Sequence, residues 1–177
     1  THRSLLANTD ARVLHRVMDV NFFGAVNCTQ AALASVVARR GTIVAVSSVA
    51  GFSPLVGRAG YAASKHALHG FFDSVRAEVE RGGVHVMLVC PAFVDTSIDA
   101  HALGGDGALS NRRKVVVGTL DTADSVAVAI VDGVVRRRRL VVLGTLGKSA
   151  WWLSRVMPSV YARVMLDRQG AEFGLDR

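Results

Sequence analysis

Two short runs set the terms for the whole chain. Thr42-Ile43-Val44-Ala45-Val46 and Val84 to Val89 are rich in β-branched residues and apolar almost throughout. Neither shows the in–out alternation of a strand wetted on one face. Strands of this kind are covered on both faces, as in a parallel sheet. Each lies between segments whose apolar residues recur at helical spacing, and a helix–strand–helix–strand order predicts α/β layering. Half the chain is hydrophobic and it is 177 residues long, enough to bury a core, so one doubly wound domain over 1–177 is expected.

The remaining elements follow the same signals. Asp10 to about Arg39 reads as one long helix, with Asp10 as N-cap and an apolar stripe through Val13, Leu14, Val17, Val20, Ala25, Leu33 and Val36. Gly41 ends it. Tyr61 to about Arg81 is the next helix, closed by Gly82-Gly83, and Asp121 to about Arg138 the one after, followed by a short strand at Leu140–Leu143. Residues 145–177 form an apolar helical extension carrying Trp151, Trp152, Leu153, Val160, Tyr161 and Val164, interrupted at Pro158. Gly144-Thr145-Leu146-Gly147-Lys148-Ser149 has the end of a phosphate loop, but Val142 stands where its first glycine belongs.

The chemistry concentrates between Ser47 and Lys65. The first apolar run delivers Ser47 and Ser48 to its carboxyl end, and Tyr61 and Lys65 stand at i and i+4 on one helix face. A free tyrosine has a pKa of about 10, and lowering it to about 7 means stabilising the phenolate by about 4 kcal/mol. A unit positive charge about 4 Å away, at an effective dielectric of about 20, supplies roughly that much. Lys65 is the candidate charge. Ser48 is placed to hydrogen-bond a carbonyl oxygen on which negative charge grows, and Tyr61 to pass that oxygen a proton.

These residues resemble the short-chain dehydrogenase/reductase family. Tyr61-x-x-x-Lys65 is preceded by Ser48 at thirteen residues, and Ser48 by Asn21 at twenty-seven, within Asp19-Val20-Asn21-Phe22-Phe23-Gly24. Both spacings fit the family's Asn-Ser-Tyr-Lys tetrad. The resemblance implies a Rossmann-like α/β fold and an NAD(P)-dependent oxidoreductase, with Asn21, Ser48, Tyr61 and Lys65 as catalytic residues. It implies that Asn21 sits at a helix distortion and anchors a water-mediated proton relay. It also implies that Tyr61, Lys65, Pro91, Val94 and Thr96 meet the cofactor, NAD or NADP, with Ala92 standing where the family usually has glycine. Residues 97–120 correspond to its substrate lid. The helices 10–39 and 61–81 correspond to its subunit contacts, so a homo-oligomer is expected.

The resemblance covers the back part of the family's fold. A Gly-rich turn after a strand, and the Asn-Asn-Ala-Gly segment that precedes the long helix, are not in this sequence. The expectation is therefore a carboxyl-terminal fragment, a partial record or a chain whose front half is separate. In that case Thr42–Val46 is an unpaired hydrophobic edge, and the alternative function is a non-catalytic assembly module.

Composition narrows the other classes. The net charge of +7 is carried largely by Arg112-Arg113-Lys114 and Arg136–Arg139. No aromatic residues interleave with these clusters, and the second closes a helix, where cations oppose the dipole. No nucleic-acid partner is expected. Cys28 and Cys90 fit neither a disulfide framework nor a metal site, and His66 and His69 lack a third ligand, so no metal is expected. No run of eighteen apolar residues is present. A cytoplasmic protein acting on a small apolar alcohol or carbonyl compound is the expectation, with peripheral membrane contact through the C-terminal helix as a lesser alternative.

Overall fold

The computed structural model describes residues 1–111 and 120–175. Three parallel strands, β1 (Thr42–Val46), β2 (His85–Cys90) and β3 (Leu140–Val142), lie in the order β1-β2-β3. Thr42 pairs with His85 and Val46 with Val89, and Leu88 to Cys90 pair with Leu140 to Val142. Every residue of β2 is buried, as a strand covered on both faces must be.

Alternate residues of β2 serve opposite layers. Val86 and Leu88 pack with Leu68, Phe72, Val75 and Val79 of helix α3 (Ala59–Val79), and with Phe22, Ala25, Leu33 and Val36 of the first helical segment. Met87 and Val89 pack on the other face with Val126, Ala129, Ile130 and Val134. The doubly wound α/β expectation therefore holds, with helices on both faces of a parallel sheet.

The first helix, continuous by periodicity, is distorted around Asn21, where the family resemblance implied it. It runs as α1 (Ala11–Met18) and α2 (Gly24–Ala38), separated by a π-helical turn at Asp19–Phe23. Asp10 is its N-cap and accepts a hydrogen bond from the Arg12 amide. One 18-residue stretch of Ala11–Ala38 has a mean hydropathy of 1.3. By length and composition alone the helix is long and apolar enough to cross a membrane, although it contains no unbroken run of eighteen apolar residues. Its buried residues, Val13 and Val17, are in α1, and α2 has none that is fully buried.

The third helix, α3 (Ala59–Val79), begins two residues before Tyr61. α4 is Ala123–Val135. The segment resembling a phosphate loop forms the opening of α5 (Gly144–Val156), and Pro158 then starts α6 (Pro158–Gln169), which ends in a turn at Gly170–Phe173. The expected lid falls partly on residues 112–119, outside the described residues. Its earlier half is tied to the first ten residues: Arg3 N donates to the Leu103 carbonyl at 2.8 Å, Asp10 N to the Gly105 carbonyl at 2.8 Å, and Arg3 pairs with Asp99.

Candidate active site

Parallel strands release their chains at one end of the sheet, and here two of those ends meet the start of α3. After β1 come Ser47 and Ser48, and Ser48 caps a short turn by accepting from the Ala50 amide at 3.2 Å. After β2 come Pro91 to Thr96, held in place where Asp121 N donates to the Phe93 carbonyl and Asp95 N to the Asp121 carbonyl. Tyr61 and Lys65 reach in from α3. Ser48, Tyr61, Lys65, Pro91, Val94 and Thr96 thus line one cleft of about 350 Å³, together with Arg58.

The structure brings together six of the seven residues expected on the catalytic and cofactor faces. Asn21, the seventh, lies one layer behind the cleft, in the π-helical turn. Its Nδ2 donates to Ser64 Oγ at 3.0 Å, and Ser64 Oγ donates to the Tyr61 carbonyl at 2.8 Å. The wholly buried Ser64 therefore links Asn21 to the backbone of Tyr61, a role that no sequence spacing announced.

The electrostatics differ from the simple tyrosine–lysine pair. Burial pushes the Tyr61 phenol above its ordinary pKa of 10, while the Ser48 hydroxyl and the Arg58 charge pull it down. Lys65 Nζ is 5.9 Å from the centre of the Tyr61 ring and donates to the Val46 carbonyl at 3.0 Å. Burial in turn lowers the lysine's own pKa from 10.5.

His69 and Cys90, weighed in the sequence only as metal or disulfide candidates, brace the serine turn. His69 Nε2 stands 3.1 Å from Ser47 Oγ and 3.5 Å from Cys90 Sγ. A side chain at Gly51 would overlap both Ser47 and His69, so the turn closes tightly on α3. Burial drives the Cys90 thiol up to about 12, which leaves it a packing residue and not a nucleophile. Among the described residues no His, Cys, Asp and Glu gather into a metal-sized cluster.

A second cavity, about 280 Å³ and mostly apolar, opens from Ser48. Leu146 and Leu153 of α5, Tyr161 and Met165 of α6, and Leu55 and Phe93 wall it. The greasy C-terminal helices thus divide: one face builds this cavity, while Trp152, Val156 and Val160 remain exposed.

Comparison with known proteins agrees with the fold. The family model for short chain dehydrogenase matches residues 1–104. The chain is 37% identical, over 86% of its length, to a "Dehydrogenase/reductase SDR family protein 7-like" of Anopheles gambiae, and covers 49% of that protein. It is 36% identical to a "Dehydrogenase/reductase SDR family member 7B" of Danio rerio, over 98% of this chain and 57% of that one. The chain therefore spans about half the length of these curated relatives. In fold it is similar to a short-chain dehydrogenase from Streptomyces avermitilis, with a TM-score of 0.77, 22% identity and 97% and 66% of the two chains covered. It is likewise similar to one from Burkholderia cenocepacia in complex with NADP, with a TM-score of 0.76, 22% identity and coverage of 92% and 63%.

Proposed function

The chain belongs to the short-chain dehydrogenase family, and on that premise we propose that it carries the acid–base site of an NAD(P)-dependent oxidoreductase interconverting an alcohol and a ketone or aldehyde. The observation that carries this reading is the convergence of Ser48, Tyr61 and Lys65 on one cleft whose far wall is Pro91 to Thr96.

In the reducing direction the substrate carbonyl oxygen lies against Ser48 and Tyr61. Ser48 donates a hydrogen bond to the oxygen as negative charge builds there, and Tyr61 gives it a proton. In the oxidising direction Tyr61 takes the proton back. Lys65 supplies positive charge on the same helix face, and Asn21, acting through Ser64, fixes the backbone of Tyr61.

A nicotinamide cofactor supplies or accepts the hydride when bound. The chain's residues fit its nicotinamide end: the cleft combines an ammonium, the Thr96 hydroxyl and the apolar Val94 in a space of about 350 Å³. Tyr61, Lys65, Pro91, Val94 and Thr96 are the residues proposed to hold it. A solved fold neighbour bound to NADP supports this choice of cofactor. The apolar cavity beside Ser48 supports a substrate with a hydrophobic body reaching toward α5 and α6.

A second reading, a non-catalytic fragment or assembly module, is favoured by one observation: the chain spans about half of its relatives' length. Fluorescence titration with NADPH and NADH, followed by absorbance assays on apolar ketones and aldehydes, separates the two. The oxidoreductase reading expects cofactor binding with turnover. It also expects Tyr61→Phe to lower turnover by about 10²-fold or more with cofactor affinity retained. A Tyr61→Phe chain that turns over at the parent rate would overturn the assignment, and a chain that binds neither cofactor leaves the module reading in its place.

A further inference from the structure

The cleft contains a cation that the serine–tyrosine–lysine reading leaves without a task. Arg58 precedes Tyr61 by three residues, at the N-cap of α3, and lines the same cleft as Ser48, Tyr61 and Lys65. It is only 9% exposed. Its ion-pair partner is Glu172, at 3.8 Å, from the turn that follows α6. That is longer than the 2.7–2.9 Å of a charge-assisted hydrogen bond, and Arg58 Nε is buried with no hydrogen-bond partner. A guanidinium taken out of water and incompletely paired is costly to the fold, so its retention beside a reactive phenol calls for an account. Lys65, meanwhile, directs its ammonium to the Val46 carbonyl.

We propose that Arg58, steadied by Glu172, is a positioning residue of the acid–base site, the cation that sets the charge environment of the Tyr61 phenol. The charges around Tyr61 agree with this role. Arg58 and the Ser48 hydroxyl favour its phenolate, and Asp99, already paired with Arg3, opposes it. Lys65 sits on the same helix, and Glu172 tempers Arg58 from behind. The C-terminal turn is thereby connected to the proton carrier. Gln169 Oε1 accepts from the Val56 amide at 3.2 Å, and the Phe173 ring lies against Gly57, so the turn grips the loop that carries Arg58. The inference rests on the reading of Tyr61 as proton carrier, but its test needs no turnover.

Tyr61 and Tyr161 are the only tyrosines in the sequence. In chain labelled with tyrosine carrying ¹³C at Cζ, in a Tyr161→Phe background, the single remaining resonance reports ionisation of Tyr61. Arg58→Gln is expected to move its midpoint up by about one pH unit, the lower end of what a nearby opposite charge does. Arg58→Lys should restore most of that shift, and Glu172→Gln should move the midpoint down. Near-ultraviolet circular dichroism over the same range reports the fold. Where the fold gives way before the midpoint, phenolate fractions are compared at the highest pH it tolerates. Superimposable titrations of the parent and Arg58→Gln, with unchanged dichroism, overturn the proposal. Should Arg58→Gln fail to fold, an unmoved midpoint in Glu172→Gln overturns it instead. Either result leaves the oxidoreductase reading to stand or fall on Tyr61→Phe turnover.

Discussion

His2 is 1% exposed, and neither of its ring nitrogens has a hydrogen-bond partner. Burial, with Arg58 nearby, takes its pKa from 6.5 down to about 4. The unfolded chain therefore takes up this proton near pH 6.5 and the folded chain only near 4. The contribution to stability is complete above pH 6.5 and is lost progressively as the pH falls toward 4. Urea midpoints at pH 7 and pH 4.5 should show a loss of about 1–3 kcal/mol. His2→Leu should remove most of that slope, because leucine has no proton to take up. At this scale the sequence was informative about identity and poor about state. The spacing of Ser48, Tyr61 and Lys65 placed three side chains in one cleft. The upward shift of the Tyr61 phenol comes first from burial, with Ser48, Arg58 and Asp99 adjusting it, surroundings that only the folded chain provides. Ser64 was invisible for the same reason, since its link to Asn21 joins residues forty-three apart.

Elements were read well where composition alone decides them. β2 is apolar on both faces because both faces are covered, and the run announced it; β1, equally apolar in sequence, has only Ala45 buried. The break in the first helix was not legible in the periodicity, although the family resemblance implied a distortion at Asn21. A π-helical turn adds a residue to the backbone ring without disturbing the apolar stripe on either side, so periodicity reads straight through it. The division of α5 and α6 between cavity wall and exposed face was equally hidden, since both faces are greasy. The contact of the last turn with the loop before α3 is the element-level feature most open to test. Gly57 has φ +65°, and a side chain there would overlap the Phe173 ring. Gly57→Ala is expected to cost about 1–3 kcal/mol through backbone strain and to loosen residues 170–175. A lower Tm and faster proteolysis near the C-terminus would show it, whereas an unchanged Tm would mean that the ring simply moves aside.

Across the whole molecule, β2 is shielded on both sides and β1 pairs only with β2 among the described residues. An apolar edge of this kind templates association with another chain unless charge blunts it. Thr42, exposed at the start of β1, is a suitable place to add charge. Thr42→Lys is expected to reduce concentration-dependent light scattering of the chain without altering its circular dichroism, and equal scattering would place the association elsewhere. The same edge has a chemical corollary. Gly41 accepts from His85, and the Ser47 amide donates to Val89, so the peptides of 41 and 47 turn toward β2 and the carbonyl of Val46, out of phase with them, turns outward. That outward carbonyl is the one now satisfied by Lys65. Any strand laid alongside β1 must compete for it, and the amine it evicts has the phenol ring for a neighbour. A strand closing the open flank of the sheet therefore reaches for the same carbonyl as the Lys65 ammonium.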